Sequence, residues 1–373
     1  MAEGLGLYVH VPYCLKKCSY CAFASQRKPE DISGMCTALF TEFSGRTRGK
    51  NLQFDTFYAG GGTPTLLPPE FWARFISTVN SPSLTERTIE SNPAVLDARG
   101  YSTILLAGFN RISLGVQSFQ GEHLKQLGRA HTSEDTDEAL SLAKRAGFRN
   151  VSADLMYGLP GQDMNSFRKD LEKMLGHMPE HLSLYELTLE KGTPMGDRGI
   201  KAPDSLCADM YHLAHDLLTE NGYIHYEVSN YAREEKYVSR HNSAYWKRTP
   251  YIGIGPSAHS FDGHKRSWNH SDSVRYESAV VRGDSPEESS EDLTGENGAH
   301  ELLALGFRHS GGVDLNSLEK LGFRLAAEEL LDTGMVARKA NILVPDHHGM
   351  LFADSLALKA AELLERLPGF DDR

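Results

Sequence analysis

Along the first 190 residues, short strand-like apolar runs give way in turn to segments with helical periodicity, a rhythm that repeats without repeating a sequence. The runs Leu5–Val11, Thr56–Ala59, Thr88–Ser91, Arg111–Val116, Asn150–Met156 and Leu182–Thr188 predict β-strands. Between them, Pro29–Phe43, Pro69–Thr78, Ala94–Ala107, Ser133–Ala146 and Met164–Leu175 predict helices, several opened by good capping residues such as Ser133. Strands alternating with helices imply parallel strands joined by crossovers. Six such units predict an α/β partial (β/α)6 TIM-like barrel, with an open doubly wound sheet as the competing arrangement. In either, the loops after the strands' C-terminal ends should hold the chemistry.

A further helix is expected over Asp204–Asn221, closing a barrel unit of residues 1–221. The pattern then changes. Aromatic-rich extended segments, Tyr223–Tyr231 and Tyr251–Phe261, flank a His-Asn-aromatic cluster, and residues 222–290 read as a cap or bridge. The polar run Gly283–Asp292 reads as a linker. Beyond it, helices over Asn297–Gly306, Leu315–Leu321 and Arg324–Thr333, a hairpin of Val336–Ala340 and Leu343–Pro345, and a last helix Ala353–Arg366 outline an α+β winged-helix-like domain of residues 291–373.

Charge narrows the partners. Lys plus Arg number 39 against 50 Asp plus Glu, a net charge of −11 with a pI near 5.8, so nucleic acid is not an expected partner and a DNA-contacting winged helix is the weaker use of the C-terminal region. No apolar run approaches the roughly 18 residues needed to cross a bilayer. The lead Met1–Leu7 is too short and uncharged for a signal or transit peptide, so the cytoplasm is the expected location. Of five cysteines, three fall between Cys14 and Cys21, which suggests metal or redox work rather than a disulfide framework.

Cys14, Cys18 and Cys21, in C-x3-C-x2-C spacing, follow the first predicted strand. Structural zinc is an alternative but normally takes four protein ligands, and no second Cys or His pair at suitable spacing is evident. A 4Fe-4S cluster takes thiolates, and three of them leave one iron open. Gly60-Gly61-Gly62-Thr63-Pro64 follows the second strand, where glycines let backbone approach a ligand. Glu90, Asn92, Gln117 and Asp154 close later strands, with Arg129 in the segment after the fourth; each could also serve only as a cap or a solvated face. In Arg240-His241-Asn-Ser-Ala-Tyr245-Trp246, His241 offers an imidazole beside two aromatic rings, Tyr245 and Trp246, which by residue type alone reads equally as a structural histidine beside core aromatics. His259 is a weaker candidate; Cys36 and Cys207 read as buried helix residues.

The cysteine motif resembles that of the radical S-adenosylmethionine (SAM) superfamily. With Tyr8-Val-His-Val-Pro12, Ser113-Leu-Gly-Val-Gln-Ser-Phe119, Leu127-Gly-Arg-Ala-His131 and Asp154-Leu-Met-Tyr-Gly-Leu-Pro160, nearly the whole chain resembles the oxygen-independent coproporphyrinogen III oxidase group. The resemblance implies a 4Fe-4S cluster on Cys14, Cys18 and Cys21 whose open iron chelates SAM, and a SAM site of Tyr8, Tyr20, Gly61, Gly62, Thr63, Glu90, Gln117, Arg129 and Asp154. Within that group, Phe23 stands where oxidases carry a further cysteine, and only seven residues precede Tyr8. Both departures, with HNxxYW, favour the HemW-type heme chaperones, which implies heme near His241, Tyr245 and Trp246, delivery to respiratory apo-hemoproteins at a membrane surface, and a homodimer. The alternative is a coproporphyrinogen III oxidase, and no catalytic residue is assigned.

Overall fold

The computed structural model describes residues 4–79 and 81–368, so the first three residues of the lead lie outside the described part. Six parallel strands form its centre: β1 (Leu5–Val11), β2 (Phe54–Gly61), β3 (Glu86–Ser91), β4 (Arg111–Gln117), β5 (Val151–Tyr157) and β6 (His181–Glu186). The crossovers are α1 (Ser33–Thr47), α2 (Pro69–Val79), α3 (Ala98–Leu106), α4 (Gly121–Leu127), α5 (Ser133–Ala146) and α6 (Met164–His177), and α7 (Asp204–Glu220) follows β6. Successive strand residues face opposite ways. Leu7, Val9, Phe57, Ala59, Ile89, Ile112, Leu114, Ala153, Leu155, Leu182 and Leu184 therefore point outward into one core with Trp72 and Phe75 from α2 and Phe109 from the turn before β4. Each Val, Leu, Ile or Phe among them contributes about 1.5–3 kcal/mol by burial.

The segment after α7 extends this sheet at both edges. A hairpin of β7 (Ile224–Glu227) and β8 (Asn230–Ala232) pairs antiparallel with β6, and β9 (Tyr251–Ile254) pairs parallel with β1. Then β10 (His259–Phe261), β11 (Lys265–Asn269) and β12 (Glu287–Asp292) follow antiparallel, giving the order β12-β11-β10-β9-β1-β2-β3-β4-β5-β6-β8-β7. Helices α8 (Arg240–Trp246) and α9 (Ser273–Arg282) pack within this extension.

The C-terminal part builds its own core from Ala299, Leu303, Phe307, Leu318, Leu330, Leu343 and Leu356. Its helices α10 (Gly295–Gly306), α11 (Leu315–Lys320) and α12 (Glu328–Leu331) surround a three-stranded sheet of β13 (Val313–Asp314), β15 (Val336–Lys339) and β16 (Ile342–Pro345). A separate pair, β14 (Phe323–Leu325) with β17 (Leu364–Arg366), flanks α13 (His347–Leu351) and α14 (Ala353–Glu362).

Local chemistry explains where the sequence expectation and the structure differ. The expected helix at Ala94 starts only at Ala98, because Ala94 turns at φ 62 and the Asp97 carboxylate caps Gly100 N–H at 2.7 Å. Thr132, not Ser133, caps α5, its hydroxyl and Asp135 forming a reciprocal capping box. The expected linker Gly283–Asp292 is half strand: Glu287–Asp292 pairs with β11, exposed throughout. The expected helix Arg324–Thr333 splits into β14 and the four-residue α12, and the last helix stops at Glu362 before β17. Helix α4 was not anticipated; it is seven residues long and ends at Gly128 with φ 74.

Candidate functional site

The cysteine loop leaves β1 and is pinned at both ends. Gln26 N–H donates to Pro12 O at 2.7 Å and Lys28 N–H to Cys14 O at 2.9 Å, while Ser19 N–H reaches Leu127 O at 3.0 Å at the end of α4. All three thiols are half-buried. Thr63 Oγ1 lies 3.8 Å from Cys14 Sγ and Arg129 Nη1 lies 3.4 Å from Cys18 Sγ. Ser25 Oγ is buried and faces Cys14 and Cys21. Burial pushes the Cys14 and Cys21 thiols up. A donor set of three thiols with a guanidinium and two hydroxyls turned toward them fits a three-thiolate iron-sulfur cluster.

The Gly-rich loop after β2 is seated against this loop. Gly62 N–H donates to Val11 O at 2.7 Å and Thr63 N–H to Tyr13 O at 2.8 Å. A Cβ on Gly62 would stand 2.5 Å from Tyr13 O, and one on Gly61, at φ 106, would strike the His10 ring. These glycines thus serve close packing of the chain on itself, and Gly61 N–H goes to Glu90 Oε2 at 3.1 Å.

Inward-facing strand residues are largely polar: Tyr8, His10, Thr56, Tyr58, Glu90, Arg111, Ser113, Asp154, Ser183 and Tyr185. Register brings Glu90 opposite Ser113 and Asp154 opposite Ser183. Packed TIM barrels fill this space with side chains. Here Tyr185 stays 42% exposed, so the lumen is open. Glu90 accepts from Tyr58 Oη at 2.7 Å, and burial raises its pKa to about 7. Asp154 accepts from Ser113 Oγ at 3.1 Å, and burial raises it to about 6. Gln117 ends β4 at φ 69, a conformation uncommon for a residue with a Cβ, close to Asn92 and Arg129 around Gly115. Arg129 Nε is buried and has no hydrogen-bond partner among the described residues. Open space, two carboxylates whose charge is penalised by burial and a guanidine N–H left over fit a polar ligand such as SAM. Tyr20 instead packs its ring beside Leu127, Met156 and Leu159, under the loop.

A cleft of about 510 Å³ continues from this lumen toward α10. Tyr8, Phe23, Gly61, Glu90, Tyr245, Tyr251, His259, Phe261, Arg248 and Arg266 line it. Phe23 is 66% exposed at its edge. The His259 ring lies on Trp268 at 5.5 Å and makes no hydrogen bond to a described residue. His241 is hidden behind Tyr245, 1% exposed, its Nδ1 bonded to Thr56 Oγ1 and its Nε2 to Tyr245 Oη, both at 2.8 Å. Arg240 and His241 N–H groups also donate to the Glu86 carboxylate. Trp246 points elsewhere: its buried Nε1 faces Glu227, which burial pushes up to about 8. Adjacent helical residues diverge by about 100°, whereas i and i+4 share a face. The motif therefore pairs His241 with Tyr245 and parts Tyr245 from Trp246, correcting the expectation that both rings cover one ligand.

Other motif residues act as braces. His131 Nε2 bonds Val116 O at 3.1 Å, and Asp170 gathers Ser118 Oγ, Phe119 N–H and Gln120 Nε2 at 2.6–3.0 Å.

Residues 8–174 match the radical SAM superfamily. The chain is 31% identical over 371 residues to the heme chaperone HemW of Bacillus subtilis (strain 168), covering 94% of this chain and 97% of that protein. The chain belongs to the HemW family of radical SAM proteins. Membership in the superfamily implies SAM and a 4Fe-4S cluster as cofactors. A second relative, radical S-adenosyl methionine domain-containing protein 1, mitochondrial, of Danio rerio, is 40% identical over 265 residues; these are 68% of this chain, which spans 59% of that protein. The solved structure of Escherichia coli coproporphyrinogen III oxidase (HemN), a radical SAM enzyme, shares the fold, with TM-score 0.82 and 22% identity over 96% of this chain and 90% of that one.

The sequence reading missed His10, Tyr58, Arg111 and the cleft's Arg248 and Arg266. Period-two polarity within the strands was the available signal for the first three.

Proposed function

We propose that the chain is a heme chaperone that holds a 4Fe-4S cluster, SAM and one heme, and passes the heme to apo-hemoproteins in the cytoplasm, respiratory ones among them. Peripheral contact with a membrane surface and a homodimer belong to the same proposal. The observation that carries it is the aromatic cleft opening beside the cysteine loop, with two guanidiniums on its wall. Its volume lies in the range of cofactor pockets.

Cys14, Cys18 and Cys21 would hold the cluster, leaving an iron for the amino and carboxylate groups of SAM. Glu90 and Asp154 would accept from the cofactor's hydroxyls or amine, with Tyr8, Gly61, Gly62 and Thr63 on one side and Gln117 and Arg129 on the other; Tyr20 would support the loop. Phe23, Tyr245, Tyr251 and Phe261 would cover the porphyrin, and Arg248 and Arg266 would meet its propionates. For the iron, His259 presents its ring to the cleft directly. Ligation by His241 would require Tyr245 to release Nε2, and Trp246 would act by fixing α8.

Hemin titration of the reconstituted protein, with a coproporphyrinogen III turnover assay beside it, tests this reading. One heme per chain and no decarboxylation are expected. Phe23→Ala and Tyr245→Ala should weaken retention, since an aromatic buries on the order of 150–250 Å². His259→Ala should shift the Soret band; a shift with His241→Ala instead would move the ligand to His241. Failure of the wild type to bind heme would overturn the chaperone, and turnover with SAM consumption would replace it by the oxidase.

A further inference from the structure

Away from the lumen and cleft, five histidines gather where α7 meets the C-terminal part. His212 and His215, three residues apart, share one face of α7. His347 and His348 open α13, whose first turn is fixed by Asp346 accepting from Gly349 N–H at 2.8 Å. The rings of His347 and His348 are 4.0 Å apart, and that of His212 lies 4.7 Å from His348. One ring nitrogen from each of His212, His347 and His348 falls within 4.8 Å of the other two. The first two residues are half-buried and His348 is exposed, so solvent reaches the group.

Its surroundings hold the rings in place. The His215 ring stacks on that of His347 at 3.9 Å and 3°, and its Nδ1 meets His225 Nδ1 at 2.9 Å. His225 in turn stacks on Tyr231 at 4.1 Å. Tyr211 Oη donates to His347 O at 3.1 Å, tying the backbone of α13 to α7. Partners behind ligating imidazoles are what orient a metal site.

We propose that His212, His347 and His348 form a site for a divalent first-row transition metal, Zn²⁺ by preference, that fastens α7 of the barrel to α13. Imidazole suits Zn²⁺, Ni²⁺ and Cu²⁺. Zinc accepts three histidines with water in the fourth position. A zinc–nitrogen length of 2.0–2.1 Å sets tetrahedral nitrogens about 3.3 Å apart, so small ring rotations complete the set. This site is separate from the cluster loop, and its success or failure leaves the heme reading untouched.

The test is metal titration of the full chain after its cysteines have taken up the iron-sulfur cluster, using Zn²⁺ by calorimetry and Co²⁺ by absorption. One equivalent should bind. Cobalt should give weak visible bands without the intense near-ultraviolet charge transfer of thiolate ligation. His347→Ala should weaken zinc by at least about tenfold. His348→Ala, at an exposed position where folding is not at stake, should do the same, and zinc should raise the wild type's unfolding temperature more than that of either variant. No uptake beyond the cluster, thiolate charge transfer in the cobalt spectrum, or undiminished zinc affinity in His348→Ala would overturn the site.

Discussion

Burial holds Glu90 protonated to about pH 7, although Tyr58 and Gly61 both donate to it. Ligand hydroxyls can donate only to the ionised form at full strength. Affinity for SAM should therefore rise between pH 6 and 8, and Glu90→Gln should flatten that dependence and weaken binding by about 1–3 kcal/mol. Calorimetry across the range reads both; a pH profile unchanged by the substitution would remove Glu90 from the site. The sign for folding is opposite. A carboxylate raised by burial contributes stability that is present below its ordinary value of 4.5 and lost as pH rises through about 7. At this scale the three cysteines were legible because their spacing is local. His241 was only half legible: the motif located the helix, but the occupation of both ring nitrogens depends on Thr56, 185 residues away in sequence.

At the scale of elements, the strand and helix rhythm was legible because apolar periodicity survives wherever one face is buried against the helical layer. It failed where elements are short or exposed, as in α4, β12 and α12. What joins the elements was invisible as well. Glu42 on α1 is buried, and it accepts from Arg46 Nε at 2.9 Å, Gly255 N–H at 2.9 Å, Asn269 Nδ2 at 2.8 Å and Tyr276 Oη at 2.6 Å. One carboxylate thus clamps α1 to α9, β11 and the turn after β9, the last two of which carry Arg266 and Ser257 of the cleft wall. Its removal strands Gly255 N–H and the Tyr276 hydroxyl and leaves Arg46 without a carboxylate, held by Ser260 Oγ and Asn269 Oδ1. Glu42→Ala should cost about 3–5 kcal/mol in urea unfolding. A cost under about 1 kcal/mol would mean that water replaces the carboxylate freely.

Across the whole molecule, the C-terminal part meets the cleft through α10. Glu301 on α10 pairs with Arg248 Nε at 2.7 Å and with Arg266 Nη2, while Arg266 also meets the more exposed Glu291 at 3.2 Å. Both guanidiniums lie against Phe261, at 5.3 and 5.8 Å. Leu305, from the same helix, lines the cleft as well. Two arginines thus put positive charge on the cleft wall although the chain as a whole carries −11, and the largely buried Glu301 and the more exposed Glu291 balance it. If heme propionates use that charge, Glu301 competes with them, and neutralising it should move two quantities in opposite directions. Glu301→Gln should destabilise the ligand-free fold, because a buried pair loses a partner, by about 3–5 kcal/mol. It should also tighten hemin binding and steepen its dependence on salt, since Arg248 then has no carboxylate partner among the described residues and Arg266 keeps only the more exposed Glu291. Urea unfolding and Soret titration on the same variant separate the two effects. Loss of stability together with loss of heme affinity would make Glu301 a brace that shapes the cleft, and the propionates would then have to be held by other residues.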